Sequence, residues 1–179
     1  RFDHFAMGGG RLFVAALGSN AVEAINIGGR ILDHAITGVP DPQGIAFSPE
    51  TNKLFVASGR GKVYIYDGKS YQQIAALDFP GGADNLRYDA ATKRVYVGCG
   101  DGKVYALSAS SGSIQWSTPT GDGIDSTPAV VGDMVLVGSE DYCFYALDAV
   151  TGAVRWKFAT KLGVSSSPAV SGEVVVFGS

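Results

Sequence analysis

The sequence is short of the residues that usually carry chemistry. It holds two cysteines, two histidines, two methionines and two tryptophans in 179 residues. Cys99 and Cys143 share no metal or redox motif. A disulfide between them stays open, with two free buried thiols as the plainer reading. His4 and His34 have no third His or Cys nearby, so packing or surface exposure explains them better than a metal does. There is no Gly-x-Ser-x-Gly, phosphate loop, His-Glu-x-x-His or Asn-x-Ser/Thr sequon. GDGID, from Gly121, lacks the alternating oxygen ligands and distal Glu of a calcium loop. Charged residues are few (17%), the net charge is −3, and Lys and Arg form no cluster, which argues against a nucleic-acid surface. No apolar run approaches the ~18 residues of a membrane-spanning helix. No ten-residue stretch reads as a helix. The chain opens at Arg1, without Met or a signal peptide, and reads as a processed chain, an engineered chain or a fragment.

Glycine, by contrast, is abundant: 25 of 179 residues, about twice the usual ~7%. Many tight turns follow from that excess, and they recur. RLFVAAL from Arg11, KLFVASG from Lys53, RVYVGCG from Arg94 and DMVLVGS from Asp133 repeat one pattern, and EVVVFGS from Glu173 ends the chain. Gly98, Gly138 and Gly178 step by 40; Leu12 to Leu54 is 42 and Leu54 to Val95 is 41. Each unit divides into four short apolar runs separated by Gly, Asp, Asn and Ser, which are strands. Four strands per ~40 residues is the pattern of a β-propeller blade. The expected fold is all-β, a single propeller unit over 1–179. Blades are expected at 2–37, 43–79, 84–120 and 125–160, with half a blade at 165–179.

Two kinds of repeat meet in this chain. RLFVAALGSNAVEAINI and KLFVASGRGKVYIYD resemble the YVTN-type repeat. From about residue 103 onward the chain resembles the PQQ-like, quinoprotein-type repeat. Its Ala-x-Asp-x-x-x-Gly-x-x-x-Trp motif is met by Ala146, Asp148, Gly152 and Trp156, and by Ala106, Gly112 and Trp116 with Ser108 in place of Asp. The resemblance implies that the two tryptophans dock adjacent blades. The physics agrees, since an aromatic on a blade's last strand can bury ~150–250 Å². Gly152 is expected in a left-handed turn conformation, and Asp148, Asp67 and Asn26 are expected to accept backbone N–H bonds there. The competing role for Trp, a quinone-stacking platform, needs only one Trp, whereas this one recurs with the blade.

Quinoproteins of that family also need a metal beside the quinone and an acidic base, and many carry a vicinal Cys-Cys pair. None of these maps here, so no catalytic, cofactor or metal residue is assigned. Asp101, Asp122, Asp125, Glu140 and Asp141 all fall in turns, with Asp101 and Asp141 at one corner of consecutive units. A ligand, if bound, is expected at the channel mouth, where Asp41, Asn85, Asp125, Ser126, Ser166 and Ser167 are the candidates. The half blade leaves an apolar edge, VVVF, that invites self-association into a homo-oligomer. The leading reading is a non-enzymatic binding or scaffold propeller, with a recombined or engineered fragment falling under the same heading. The alternatives are part of a PQQ-dependent dehydrogenase and a periplasmic partner-binding propeller. Both repeat families are common in exported bacterial proteins, which implies a periplasmic or extracellular origin.

Overall fold

The computed structural model describes residues 2–179. Four antiparallel sheets of four strands follow one another along the chain, with a two-stranded sheet after them. Blade 1 holds β1 (Phe5–Gly8), β2 (Arg11–Ala16), β3 (Ala21–Asn26) and β4 (Ile31–Thr37). Blade 2 holds β5 (Pro42–Ser48), β6 (Lys53–Ser58), β7 (Lys62–Asp67) and β8 (Gln73–Asp78). Blade 3 holds β9 (Ala83–Asp89), β10 (Arg94–Cys99), β11 (Lys103–Ser108) and β12 (Ile114–Pro119). Blade 4 holds β13 (Ala129–Val131), β14 (Met134–Ser139), β15 (Cys143–Asp148) and β16 (Val154–Ala159), and the last pair is β17 (Ala169–Ser171) with β18 (Val174–Val176). The fold is a β-propeller, and its only helical element among the described residues is one turn of 3₁₀ helix at Leu17–Ser19.

The core lies between the blades rather than within them. Strand β6 shows why its run is apolar at every position instead of alternating. Leu54 and Val56 pack with Phe13, Val22 and Ala24 of blade 1. Phe55 and Ala57 face the other way, against Val95, Val97 and Leu107 of blade 3. Strand β10 repeats this, with Val95 and Val97 toward blade 2 and Tyr96 toward blade 4. A strand covered on both faces needs both of its side-chain rows apolar, and each large side chain so buried contributes about 1.5–3 kcal/mol. The last two-stranded sheet is held on blade 4 in the same way, through Phe144, Val164, Val170 and Phe177. The rings of Phe144 and Phe177 stack with centroids 4.0 Å apart.

Glycine makes close approach possible on the axis. A Cβ on Gly44 would stand 2.6 Å from the Leu86 nitrogen and 2.7 Å from the Asp84 oxygen, both backbone atoms of β9. Cys99 is buried and Cys143 half-buried, and both thiols are free. Burial pushes the Cys99 thiol far above its ordinary value.

Candidate functional site: the blade junctions and the channel mouth

The outer turns build a docking slot between successive blades. At its corner the backbone N–H of Arg30, Tyr71, Gly112 and Gly152 donates to the carbonyl of Asn26, Asp67, Ser108 and Asp148 respectively. All four corner residues have positive φ, at 54°, 60°, 78° and 78°. The residue at the start of each turn holds it from the side chain. Asp148 Oδ1 accepts from the Val150 and Thr151 nitrogens at 3.0 and 2.8 Å. Asp67 Oδ1 does the same for Lys69 and Ser70. Asn26 accepts once, from Gly29, and Ser108 once, from Ser111. Arg155 adds a bond to Asp148 Oδ2, and these donors together hold that carboxyl well below the usual carboxylate range.

Each junction fills the slot with a different pair. Trp116 is opposite Ala106 in the ladder, and its ring lies so close over blade 4 that a Cβ on Gly152 would meet it at 2.6 Å. Three donors of blade 3 converge on the Ala149 carbonyl: Arg94 at 2.6 Å, the Tyr96 hydroxyl at 3.0 Å and Trp116 Nε1 at 3.3 Å. Between blades 2 and 3 the volumes are exchanged across the ladder. Ala75 takes the Trp position and Ile65 the Ala position, and the Ile65 Cδ1 fills the space at Gly112. Between blades 1 and 2, His34 stands opposite Ala24 and stacks on Tyr71 with centroids 4.6 Å apart and planes 8° apart. His34 thus occupies the Trp position of its blade, a role its sequence neighbours do not reveal. Trp156, opposite Ala146, is 41% exposed, and its ring lies tilted beside Phe144 with centroids 6.2 Å apart.

A second repeated corner pairs Asp101 with Tyr105 and Asp141 with Tyr145. Each Tyr hydroxyl donates to its Asp, at 2.7 and 2.5 Å. Each Asp also accepts the backbone N–H two residues on, at 3.1 Å.

The channel is lined by the innermost strands, around a cavity of about 330 Å³. Phe5, Met7, Ile45, Phe47 and Leu86 line it together with the polar His4, Arg87, Tyr88 and Thr127. His4 Nε2 approaches Thr127 Oγ1 of blade 4 at 3.5 Å.

At the mouth the predicted residues part company. Ser126 is buried and staples Gly138, accepting from its nitrogen at 2.8 Å and donating to its carbonyl at 3.0 Å. Ser166 makes the same staple to Gly178, forty residues on. Ser167 accepts from the Thr127 nitrogen at 3.0 Å. Asp41 has a positive φ of 51° and accepts from Gln43 at 3.4 Å. Asn85 is only 4% exposed; its Nδ2 donates to Asp84 and to the Asp125 carbonyl, both at 2.7 Å, while its Oδ1 has no partner.

Asp84, missing from the sequence candidates, joins Asn85 and Asp125. A cleft of about 170 Å³ is walled by the carboxylates of Asp84 and Asp125 and floored by the backbone of Gly59, Gly81, Gly82 and Gly100. Burial, followed by the charges of Asp125 and Asp3, pushes the Asp84 carboxyl up to about 6. Burial, Glu140 and Asp122 also raise Asp125. The available signal was the spacing, since Asp84 and Asp125 are 41 apart, one repeat.

Because the folded pKa of Asp84 lies above its unfolded value, its protonated form favours folding, and stability falls as pH rises toward 6. Asp84→Asn is expected to flatten the pH 4–6 limb and to stabilise the protein at pH 7. The gain is on the order of 1–2 kcal/mol after allowing for solvent screening. Urea unfolding of both proteins at pH 4.5 and 7.5 checks it; parallel pH dependence would refute the assignment.

Chemically, the mouth presents carboxylates and backbone carbonyls, suited to a cationic or hydrogen-bond-donating group. Among the described residues no group of three or more His, Cys, Asp or Glu could hold a metal ion. The ring of Trp116 is committed to a blade junction.

The comparisons with known proteins agree with this architecture. The computationally designed Ika8 protein superposes with a TM-score of 0.85 at 18% identity, over 99% of this chain and 55% of that one. BamB from Moraxella catarrhalis gives 0.79 at 18% identity, over 96% and 56%. The computationally designed Ika4 protein gives 0.67 at 20% identity, over 76% and 84%. The chain therefore spans about half the length of the first two structures. No curated protein matches it. No helix among the described residues is long and apolar enough to cross a membrane. The PQQ-type repeat model described as outer membrane protein assembly factor BamB matches residues 72–179, well over half of the chain. The chain belongs to that family.

Proposed function

We propose that this chain is a non-enzymatic binding and scaffold propeller that associates through its last, two-stranded sheet. The observation that carries the reading is the apolar surface there. Trp156, Phe158, Leu162, Val174 and Val176 are all exposed, the last two at 61% and 64%. Strand β18 pairs only with β17 among the described residues, and an open strand edge beside apolar side chains favours pairing with another chain. Residues 1–179 act as one propeller unit, with blades at 2–37, 43–79, 84–120 and 125–160 and a half blade at 165–179. The N-terminal blades descend from YVTN-type repeats and the C-terminal ones from PQQ-like repeats. The likeness to computationally designed proteins supports a recombined or engineered origin.

Light scattering on a sizing column tests the association. A discrete multiple of 18.6 kDa that reverts to monomer in Val174→Lys/Val176→Lys is the expected result. A monomer at every concentration would refute self-association.

The family description, an outer membrane protein assembly factor, favours a second reading in which the same surface and the channel-mouth residues Asp41, Asn85, Asp125, Ser166 and Ser167 engage a protein partner in the periplasm. On that reading the protein is monomeric alone and binds through loops, and pull-down with Asp125→Lys as the control separates the two.

A further inference from the structure

We propose that the cleft between the turns of blades 2 and 3, far from the channel mouth, binds a small oxyanion: a phosphate group or a carboxylate. The cleft has a volume of about 210 Å³. That is below the ~300–1,000 Å³ of pockets for drug-sized ligands, so its occupant is small. Three turns enclose it: 49–52 and 90–93, which join the first two strands of blades 2 and 3, and the turn after β11.

Its basic side chains outnumber its acidic ones. Lys93 and Arg94 line the cleft, and Lys53 reaches its rim by donating to the Ser110 carbonyl. Among the described residues none of the three is in an ion pair; Lys53 and Arg94 donate to backbone carbonyls, and the Lys93 ammonium makes no hydrogen bond there. Two carboxylates offset them in part, and both are already engaged. Glu50 accepts the Tyr88 hydroxyl, and that bond, with lesser help from Lys93, holds it below its ordinary value. Asp89 is turned into its own loop, accepting the Thr92 nitrogen at 2.8 Å and its hydroxyl at 2.6 Å. A protein of net charge −3 thus keeps a local cationic excess in a concave site.

The backbone points the same way. Asn52 and Lys93 occupy equivalent corners of the two turns, with φ of 51° and 53°. Asn tolerates that left-handed conformation; Lys does so at a cost. The corner in blade 3 gives up that local fit and sets an ammonium on the cleft wall. Neutral donors complete the site: the hydroxyls of Ser108 and Ser110, 2.9 Å apart, and the Gln115 amide. Arg94 lines the cleft with its Nη1 on the Ala149 carbonyl, and Glu50 shares the wall, so the Lys93 ammonium with the hydroxyl and amide donors carries the site's fit to an oxyanion.

The test is a titration of the protein with sodium phosphate at constant ionic strength set by sodium chloride, followed by backbone amide NMR shifts. Saturable shifts in turns 49–52 and 90–93 are expected, weakened at least tenfold in Lys93→Asn. That variant removes the ammonium while suiting the corner better, so it folds at least as well. Lys161→Asn, away from the cleft, should bind like the wild type. Sodium acetate serves as the second arm: saturation by acetate alone assigns a carboxylate ligand, and by phosphate alone a phosphate ligand. Shifts that never saturate, or that survive Lys93→Asn unchanged, would overturn the proposal, as would saturation by neutral glycerol but neither anion.

Discussion

Trp116→Ala is expected to lower the unfolding free energy by about 3 kcal/mol, whereas Trp156→Ala changes it by less than about 1 kcal/mol. The two residues share a sequence motif, so motif alone predicts equal effects. Their surroundings differ. Trp116 is half-buried against Gly152 and Tyr96, and its Nε1 joins Arg94 and the Tyr96 hydroxyl at the Ala149 carbonyl. Truncation there opens a void between two blades that the backbone cannot collapse, because the Ala149 carbonyl is still held by two other donors. The ring of Trp156 is 41% exposed, and little packing is lost with it. In a repeat fold, stability is close to a sum of units and neighbouring interfaces, so the loss should stay local to blades 3 and 4. Guanidinium unfolding followed by circular dichroism reads both midpoints. Equal shifts for the two variants would remove the junction role argued for Trp116. An increase in monomer for Trp156→Ala on a sizing column would bear separately on the association surface.

Gly44→Ala is expected to cost about 3 kcal/mol or more, at the upper end for overpacking. The added Cβ would sit 2.6–2.9 Å from three backbone atoms of β9, at Leu86, Asp84 and Asn85. A side chain can rotate away from such a contact; a paired strand cannot. Relief requires β5 and β9 to separate, which would disturb the Asn85 bonds that tie Asp84 to Asp125. Gly132→Ala is the control. It has open space around the added atom but a φ of 57°, so it should cost only the conformational penalty of about 1 kcal/mol. Thermal unfolding of the two variants side by side checks the difference. If Gly44→Ala were as mild as Gly132→Ala, the close approach of the inner strands would be wrong.

Much of the architecture could be read before any coordinates. The 40–42 residue period set the number of sheets, because each period carries four strand-length apolar runs. Runs such as LFVA, apolar at every position, required a neighbour on both faces, and β6 has one on each. Turn chemistry was equally local: Asp67, Asp148 and Asn26 hold their own loops, and the glycines at 112 and 152 take positive φ. Such features depend on residues within a few positions of one another, which sequence order preserves.

Pairings across a junction were decided only by the tertiary structure. His34 stacking on Tyr71, Ile65 filling the space at Gly112, and Trp116 covering Gly152 are three solutions to one slot. Only the last carries a motif, since volume can be moved from one strand to its ladder partner without changing the repeat. The channel mouth is similar. Ser126 reads as an available hydroxyl but is consumed by Gly138, while Asp84, absent from the sequence candidates, sits in β9 and is pushed up to about 6 by burial and by Asp125. The cationic cleft between blades 2 and 3 depends on Lys53, Lys93 and Arg94 meeting the turn at Ser110. Local sequence dictates which elements form. Which side chains share an environment depends on blades stacking about a common axis, and that desolvates residues forty positions apart together.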